Sequence, residues 1–177
     1  MALVFQYGSN ASPAEMNGHD RLRGDARPLG LVCTQDRYEF DFDVWSGRRQ
    51  CFACDIRKSK RGRKIWGALY EVPERLMSRA SAPAGRRSMD AIEGEGTNYR
   101  RTPVAVRWRN GKPVRRPVIT YTVMNPVKTG ATSREYATLI LAGLAEHKAP
   151  KSYIAYVKRK ILENNSKLRD AIAAFQT

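Results

Sequence analysis

The sequence predicts an α+β fold in which about six strands close into a small barrel and helices fill the C-terminal third. Three observations predict it. Strand-like segments follow one another up to about residue 125, the apolar period then switches from that of a strand to that of a helix, and none of the strands carries obvious edge protection. A chain of 177 residues, 42% of them hydrophobic, is long enough for one core. We expect one domain over residues 1–177, with residues 158–177 a C-terminal helical extension.

Leu3 to Tyr7 is the first strand, and it breaks at Gly8-Ser9-Asn10. Gly8 lets the chain turn sharply. Ser12-Pro13-Ala14-Glu15 then has the form of a helix start, with Ser12 as cap, Pro13 in first position and Glu15 reaching back. A turn between a strand end and a helix N-terminus offers backbone N–H groups and the positive pole of the helix dipole, which suits a carboxylate or an oxyanion. On these residues alone, an ordinary strand-to-helix turn fits equally and is the commoner arrangement.

Residues 37–45 alternate, with Tyr38, Phe40, Phe42 and Val44 on one side and Arg37, Glu39, Asp41 and Asp43 on the other, as in a half-buried strand. Gln50 to Arg57, Ile65 to Val72, Thr102 to Trp108 and Val118 to Met124 also read as strands. Small residues with Pro83 and Gly85 make residues 78–87 the most flexible insertion. Beyond it, Met89 and Ile92 lie at helical spacing, so a short helix ends at Gly94 with Glu93 in its last turn. The negative helix pole and partial burial would both raise the pKa of Glu93, as acid–base work near neutrality requires. A solvated helix-end carboxylate is the plainer alternative.

After Asn125-Pro126, Tyr136, Leu139, Ile140, Gly143, Leu144 and His147 fall at helical spacing behind a Thr132-Ser133 cap, predicting a helix over 134–147. Pro150 opens a second helix carrying Ile154, Val157 and Ile161. Ser166 caps a last short one ending near Phe175.

The composition bounds the function classes. No run approaches the ~20 apolar residues of a membrane-spanning helix and no secretory leader is visible, so no membrane partner and a cytoplasmic location are expected. Cys51-Phe-Ala-Cys54 lacks a second pair, and residues three apart on a strand point to opposite faces, so two packed thiols are expected and no metal site. The net charge of +15 favours an anionic partner. It is densest at residues 57–64, which also read as a solvated hairpin tip, and at 100–116.

Taken together, the Tyr7-Gly8-Ser9-Asn10 loop, the D-x-x-E-G pattern of Asp90 to Gly94 and Tyr99 beyond it resemble the γ-glutamylcyclotransferase superfamily, which includes AIG2-like and BtrG-like proteins. Trp66-Gly-Ala-Leu-Tyr70 and the Tyr136…Gly143…Glu146…Pro150…Tyr153 series extend the likeness over roughly residues 3–157. The resemblance implies a small mixed β-barrel flanked by helices and an enzyme needing neither metal nor cofactor. It also implies a small-molecule γ-glutamyl substrate, whose α-amine attacks its own γ-carbonyl to release 5-oxoproline and an amine or amino acid. Amide C–N lyase or acyltransferase describes such chemistry. By the same resemblance Glu93 is the acid–base residue, the backbone of Tyr7, Gly8, Ser9 and Asn10 holds the glutamyl moiety, and Tyr99 lines the pocket. Glu95 lies outside the matched register, Asp90 is expected to bind nearby backbone groups, and His147 to pack or cap. The residues leave open a noncatalytic basic module contacting nucleic acid or an acidic partner, and an amide-cleaving activity on another acyl group.

Overall fold

The computed structural model describes residues 1–127 and 130–175. Within these the chain runs through β1 (Ala2–Gln6), α1 (Pro13–Met16), β2 (Arg27–Thr34), β3 (Tyr38–Ser46), β4 (Cys51–Lys58) and β5 (Trp66–Val72). It continues through α2 (Met89–Glu93), β6 (Tyr99–Pro103), β7 (Val106–Trp108), β8 (Val118–Val123), α3 (Arg134–Glu146), α4 (Lys151–Asn164) and α5 (Arg169–Ala173). The class is α+β, strands first and helices last.

Six strands form one sheet in the order β6-β8-β1-β5-β2-β7, and β3 and β4 form a separate hairpin. The sheet is mixed because β1 runs parallel to β8 and antiparallel to β5. It is not closed by hydrogen bonds, so barrel is a loose description. The edge strands β6 and β7 are nevertheless joined by Val104-Ala105 alone. Three Cα steps span at most ~11 Å, so the sheet must curl until its edges nearly meet there. Val104 N–H donating to Val118 O and Gln35 N–H to Ala105 O tie the crossing to both edges.

Alternation along β1 divides the core. Leu3 and Phe5 point to the side covered by the hairpin, α3 and α4, where Phe40, Ile56, Ile140 and Val157 are buried. Val4 points to the other side, among Met16, Leu22, Tyr70, Leu76 and Met89. Each face of the sheet therefore has its own apolar cover.

Several local expectations need correction. The strand β2 adds to those expected: it carries Pro28 and Gly30, which interrupt a strand pattern in sequence but sit here at a bulge against β5, and the ladder resumes beyond it. Thr102 to Trp108 is two strands, split where Pro103 lacks an N–H and the chain changes edges. In β3 a bulge between Phe42 and Val44 breaks the alternation, so Asp43 is buried and ion-paired with Arg57 at 2.9 Å. Ser12 occupies the cap position of α1 but makes no capping bond, and Glu15 pairs with Arg49 instead of reaching back. At the last helical segment Asn165, not Ser166, supplies the capping oxygen, to Lys167 N–H. Ser133 caps α3 as expected, and Ser88 caps α2 by accepting from Ala91 N–H.

Candidate active site

The β1 strand delivers Tyr7, Gly8, Ser9 and Asn10 to the middle of the sheet's end, where a 3-10 turn, Ser9–Ala11, follows at once. Gly8 is not a sharp turn, since its backbone is extended at φ −97° and ψ −151°. Its requirement is space. A Cβ there would lie 3.0 Å from Cys54 Sγ and 3.2 Å from Tyr136 Oη, both buried. The far end of the turn is held by Ala11 O, which accepts from Tyr70 Oη at 2.8 Å and lies 3.0 Å from His147 Nε2. His147 is thus a packed, loop-holding residue. Closure of the turn through Ala11 N–H and Ser12 N–H leaves the N–H groups of Ser9 and Asn10 without an acceptor inside it.

Glu93 approaches this loop from α2. That helix is only five residues long, so its position comes from tertiary ties. Met89 is fully buried, and Asp90 receives two bonds from Arg101, at 2.8 and 2.7 Å, and one from Tyr121 Oη at 2.8 Å. Asp90 is structural through side chains, where backbone partners had been expected. Arg79 clamps the helix end by donating to Asp90 O and Glu95 O, and Gly94 leaves the helix in the left-handed region at φ 70°. The Tyr121 carbonyl accepts from Tyr7 Oη at 2.7 Å, so one chain of contacts joins Arg101, Asp90, β8 and the end of β1.

At their meeting point Glu93 Oε1 accepts from Asn10 Nδ2 at 2.8 Å and from Gln6 Nε2 at 2.9 Å. Burial pushes the Glu93 carboxyl above its ordinary range, while those two bonds and nearby Arg21 pull it back. Burial also raises the hydroxyls of Tyr7 and Tyr99, and the Cys54 thiol. Behind Tyr7, burial drives the Asp55 carboxyl up to about 6, against the pull of Val123 N–H. The site is a recess walled by Tyr7, Cys54, Tyr121 and Tyr136, all buried, with the Glu93 carboxylate at its mouth.

Gln6, Tyr7, Gly8, Ser9, Asn10, Glu93 and Tyr99 all line a narrow inner pocket, together with Cys54, Tyr121 and Tyr136. This pocket opens into an outer cleft of about 230 Å³, and Ser9, Asn10, Glu93, Tyr99 and Tyr136 line both. All six residues singled out in the sequence therefore converge. Tyr99 Oη donates to Cys54 O at 3.0 Å, so its proton is engaged in holding the wall. Glu95 is outside both spaces and faces Arg79 at 3.6 Å. Gln6 adds to the expected site residues: alternation in β1 places it opposite Phe5 and Tyr7, as a lone polar residue that no local pattern marks. The side chain of Asn10, and Arg21 and Trp45 of the outer cleft, are likewise unmarked in the sequence. Of residues 78–87, only Arg87 reaches the cleft.

Residues 64–157, more than half of the chain, match the model of the AIG2-like family. The chain belongs to the AIG2-like family. The conformation of this AIG2-like chain is similar to that of a solved γ-glutamyl cyclotransferase, with 19% identity, a TM-score of 0.72, and coverage of 89% of this chain and 86% of that one. It is similar to an uncharacterised protein from Homo sapiens at 22% identity and a TM-score of 0.73, with the same coverage. More distantly, at 11% identity and a TM-score of 0.56, it resembles a yeast γ-glutamyl cyclotransferase specific to glutathione, over 99% of this chain and 96% of that one. At such identities the likeness establishes a shared fold. No curated protein matches the chain.

Proposed function

We propose that this AIG2-like chain is a γ-glutamylcyclotransferase-type enzyme in which Glu93 is the acid–base residue. The observation that carries the reading is the single carboxylate at the junction of pocket and cleft, raised by burial yet held by Asn10 and Gln6. A γ-glutamyl group bound in the inner pocket would lie with its backbone-facing side on the Tyr7 to Asn10 loop. Its α-nitrogen attacks the γ-carbonyl carbon, a new C–N bond forms, and the original amide C–N bond breaks. Glu93 accepts the proton that the attacking nitrogen loses and returns it to the leaving nitrogen. Atoms balance without a co-reactant: one γ-glutamyl amide gives one 5-oxoproline and one amine.

Because nucleophile and electrophile belong to one molecule, holding the bent conformer supplies much of the rate. Tyr99 and Tyr136 form the walls that enforce it. The N–H groups of Ser9 and Asn10 face the charge that grows on the carbonyl oxygen. Asn10 Nδ2 holds the Glu93 carboxylate in place for the proton transfer. Two of the similar solved structures are γ-glutamyl cyclotransferases by name, which supports the substrate class.

The test is mass-spectrometric detection of 5-oxoproline from γ-glutamyl amino acids, γ-glutamyl amines and glutathione. Wild type is expected to form it. Glu93→Gln is expected to lose at least ~100-fold in rate, the usual scale of a general acid–base contribution. Product that survives in the folded variant would remove Glu93 from the role, and turnover without 5-oxoproline would replace the reaction.

A further inference from the structure

A second cavity, of about 300 Å³, shares no lining residue with the inner pocket or the outer cleft of the Glu93 site. Arg37, Arg63, Lys64, Trp66, Ser152 and Tyr153 line it. They come from three separate places in the chain: the residue before β3, the approach to β5 with its first residue, and the first turn of α4. Three of the six are cations and none is an acid.

Among the described residues, Arg37, Arg63 and Lys64 have no carboxylate partner, and the acids next to Arg37 and β3 are engaged elsewhere. Lys58 holds Asp36 at 2.7 Å, and Ser59 Oγ donates to Glu39 at 2.8 Å. The Arg63 guanidinium lies 4.5 Å from the centre of the Tyr156 ring. Stacking occupies one of its faces and leaves the N–H groups at its edge able to bond in plane.

The start of α4 adds positive potential to the same space. Its cap position is Pro150, which makes no side-chain capping bond, and its first turn holds no acid. The first N–H groups of a helix lack acceptors within it, and the pole they form carries about half a positive charge. Acidic side chains are what such a pole favours. Here Ser152, the second residue of this 14-residue helix, lines a cavity with three cations instead. Positive groups gathered around one concave space repel one another, and a bound anion turns that repulsion into attraction while supplying acceptors for the N–H groups.

We propose that this cavity binds the phosphate group of a small phosphorylated molecule. Arg37, Arg63, Lys64 and the start of α4 surround the phosphate, and Trp66 and Tyr153 offer flat walls to the rest of the ligand. A phosphate monoester brings close to two negative charges and three terminal oxygens to this many donors, whereas a carboxylate brings one charge and two oxygens. The cations converge on a cavity from separate segments, which suits one compact anion. A nucleic-acid strand would instead draw on Lys60 and Arg61, exposed in the loop between β4 and β5 and absent from the cavity wall.

The experiment is calorimetry with phenyl phosphate, a dianion at about pH 8, against benzenesulfonate, which has the same ring and a single charge. Phenyl phosphate is expected to bind at least about tenfold more tightly, the scale of one further charged hydrogen bond, and inorganic phosphate should displace it. Arg37 and Arg63 are exposed, so their glutamine variants should fold, as an unchanged thermal midpoint would verify. Arg37→Gln and Arg63→Gln should each weaken phenyl phosphate about two- to fivefold, the scale of an exposed ion pair, and adding Lys64→Gln to both should abolish binding. Lys60→Gln and Arg61→Gln should leave it unchanged. Absence of binding, equal affinity for the two compounds, or affinity indifferent to Arg37 and Arg63 would overturn the site. A thymidine oligonucleotide that binds more tightly than phenyl phosphate, and loses as much in Lys60→Gln and Arg61→Gln as in Arg63→Gln, would replace it with a nucleic-acid track.

Discussion

Glu93 is balanced between two opposed influences, and each has a named residue behind it. Burial favours the protonated acid, whereas the N–H bonds from Asn10 and Gln6 favour the carboxylate. Removing either donor should therefore raise the Glu93 pKa further. A base must be ionised to accept a proton, so the acid limb of kcat/KM should move to higher pH in Gln6→Ala and Asn10→Ala. At neutral pH each variant is expected to lose about tenfold in kcat/KM, the scale of one charge-assisted hydrogen bond. A pH–rate profile from 4 to 9 checks this. An unmoved limb would mean that some other group titrates.

The α2 helix is too short to hold its own shape, and its orientation depends on Asp90. Asp90→Ala would leave Tyr121 Oη and Arg101 without their shared acceptor. Arg101 is partly exposed and can turn to solvent, so the expected loss is roughly 2–3 kcal/mol, below that of a fully buried pair. A lowered urea midpoint together with a fall in kcat would separate this residue from one that only binds substrate. The same helix displays what local sequence can and cannot convey. Ser88, Gly94 and the Met89/Ile92 spacing fix its ends and face by rules that act within a few residues. The partners of Asp90 come from β6 and β8, brought close only by sheet order, and no short-range pattern encodes that. Likewise, Pro28 and Gly30 hid β2 because their bulge has meaning only beside β5. The Glu93 motif and the YGSN loop were legible because each is contiguous. Gln6 and Arg21 were not, since one is a lone polar residue in a strand and the other an unremarkable arginine until the cleft surrounds it.

Across the whole molecule the charge of +15 is not spread as a uniform binding surface. Arg57, Lys58, Arg101 and Arg116 from the two basic stretches are paired with Asp43, Asp36, Asp90 and Glu71, and Arg63 stacks on Tyr156 at 4.5 Å. Part of the apparent basic patch is therefore engaged within the structure. The surplus still sets the sign of the field that an approaching molecule meets, and Arg21, Arg48, Arg49 and Arg87 line the cleft it would enter. A γ-glutamyl amino acid carries net charge −1 at neutral pH, whereas a γ-glutamyl amine is a zwitterion of net zero. Attraction reaching out to about a Debye length acts on the net charge of the first and has none to act on in the second. Raising ionic strength from about 20 to 300 mM should lower kcat/KM for the amino acid substrate by about two- to tenfold. The amine substrate should hardly respond, and kcat should hold for both, because screening acts on encounter and not on the bound complex. Steady-state kinetics on the two substrates across that range reads the difference directly. A parallel decline for both would place the salt effect on the fold, and no decline for either would mean that the positive field does not guide substrate to Glu93.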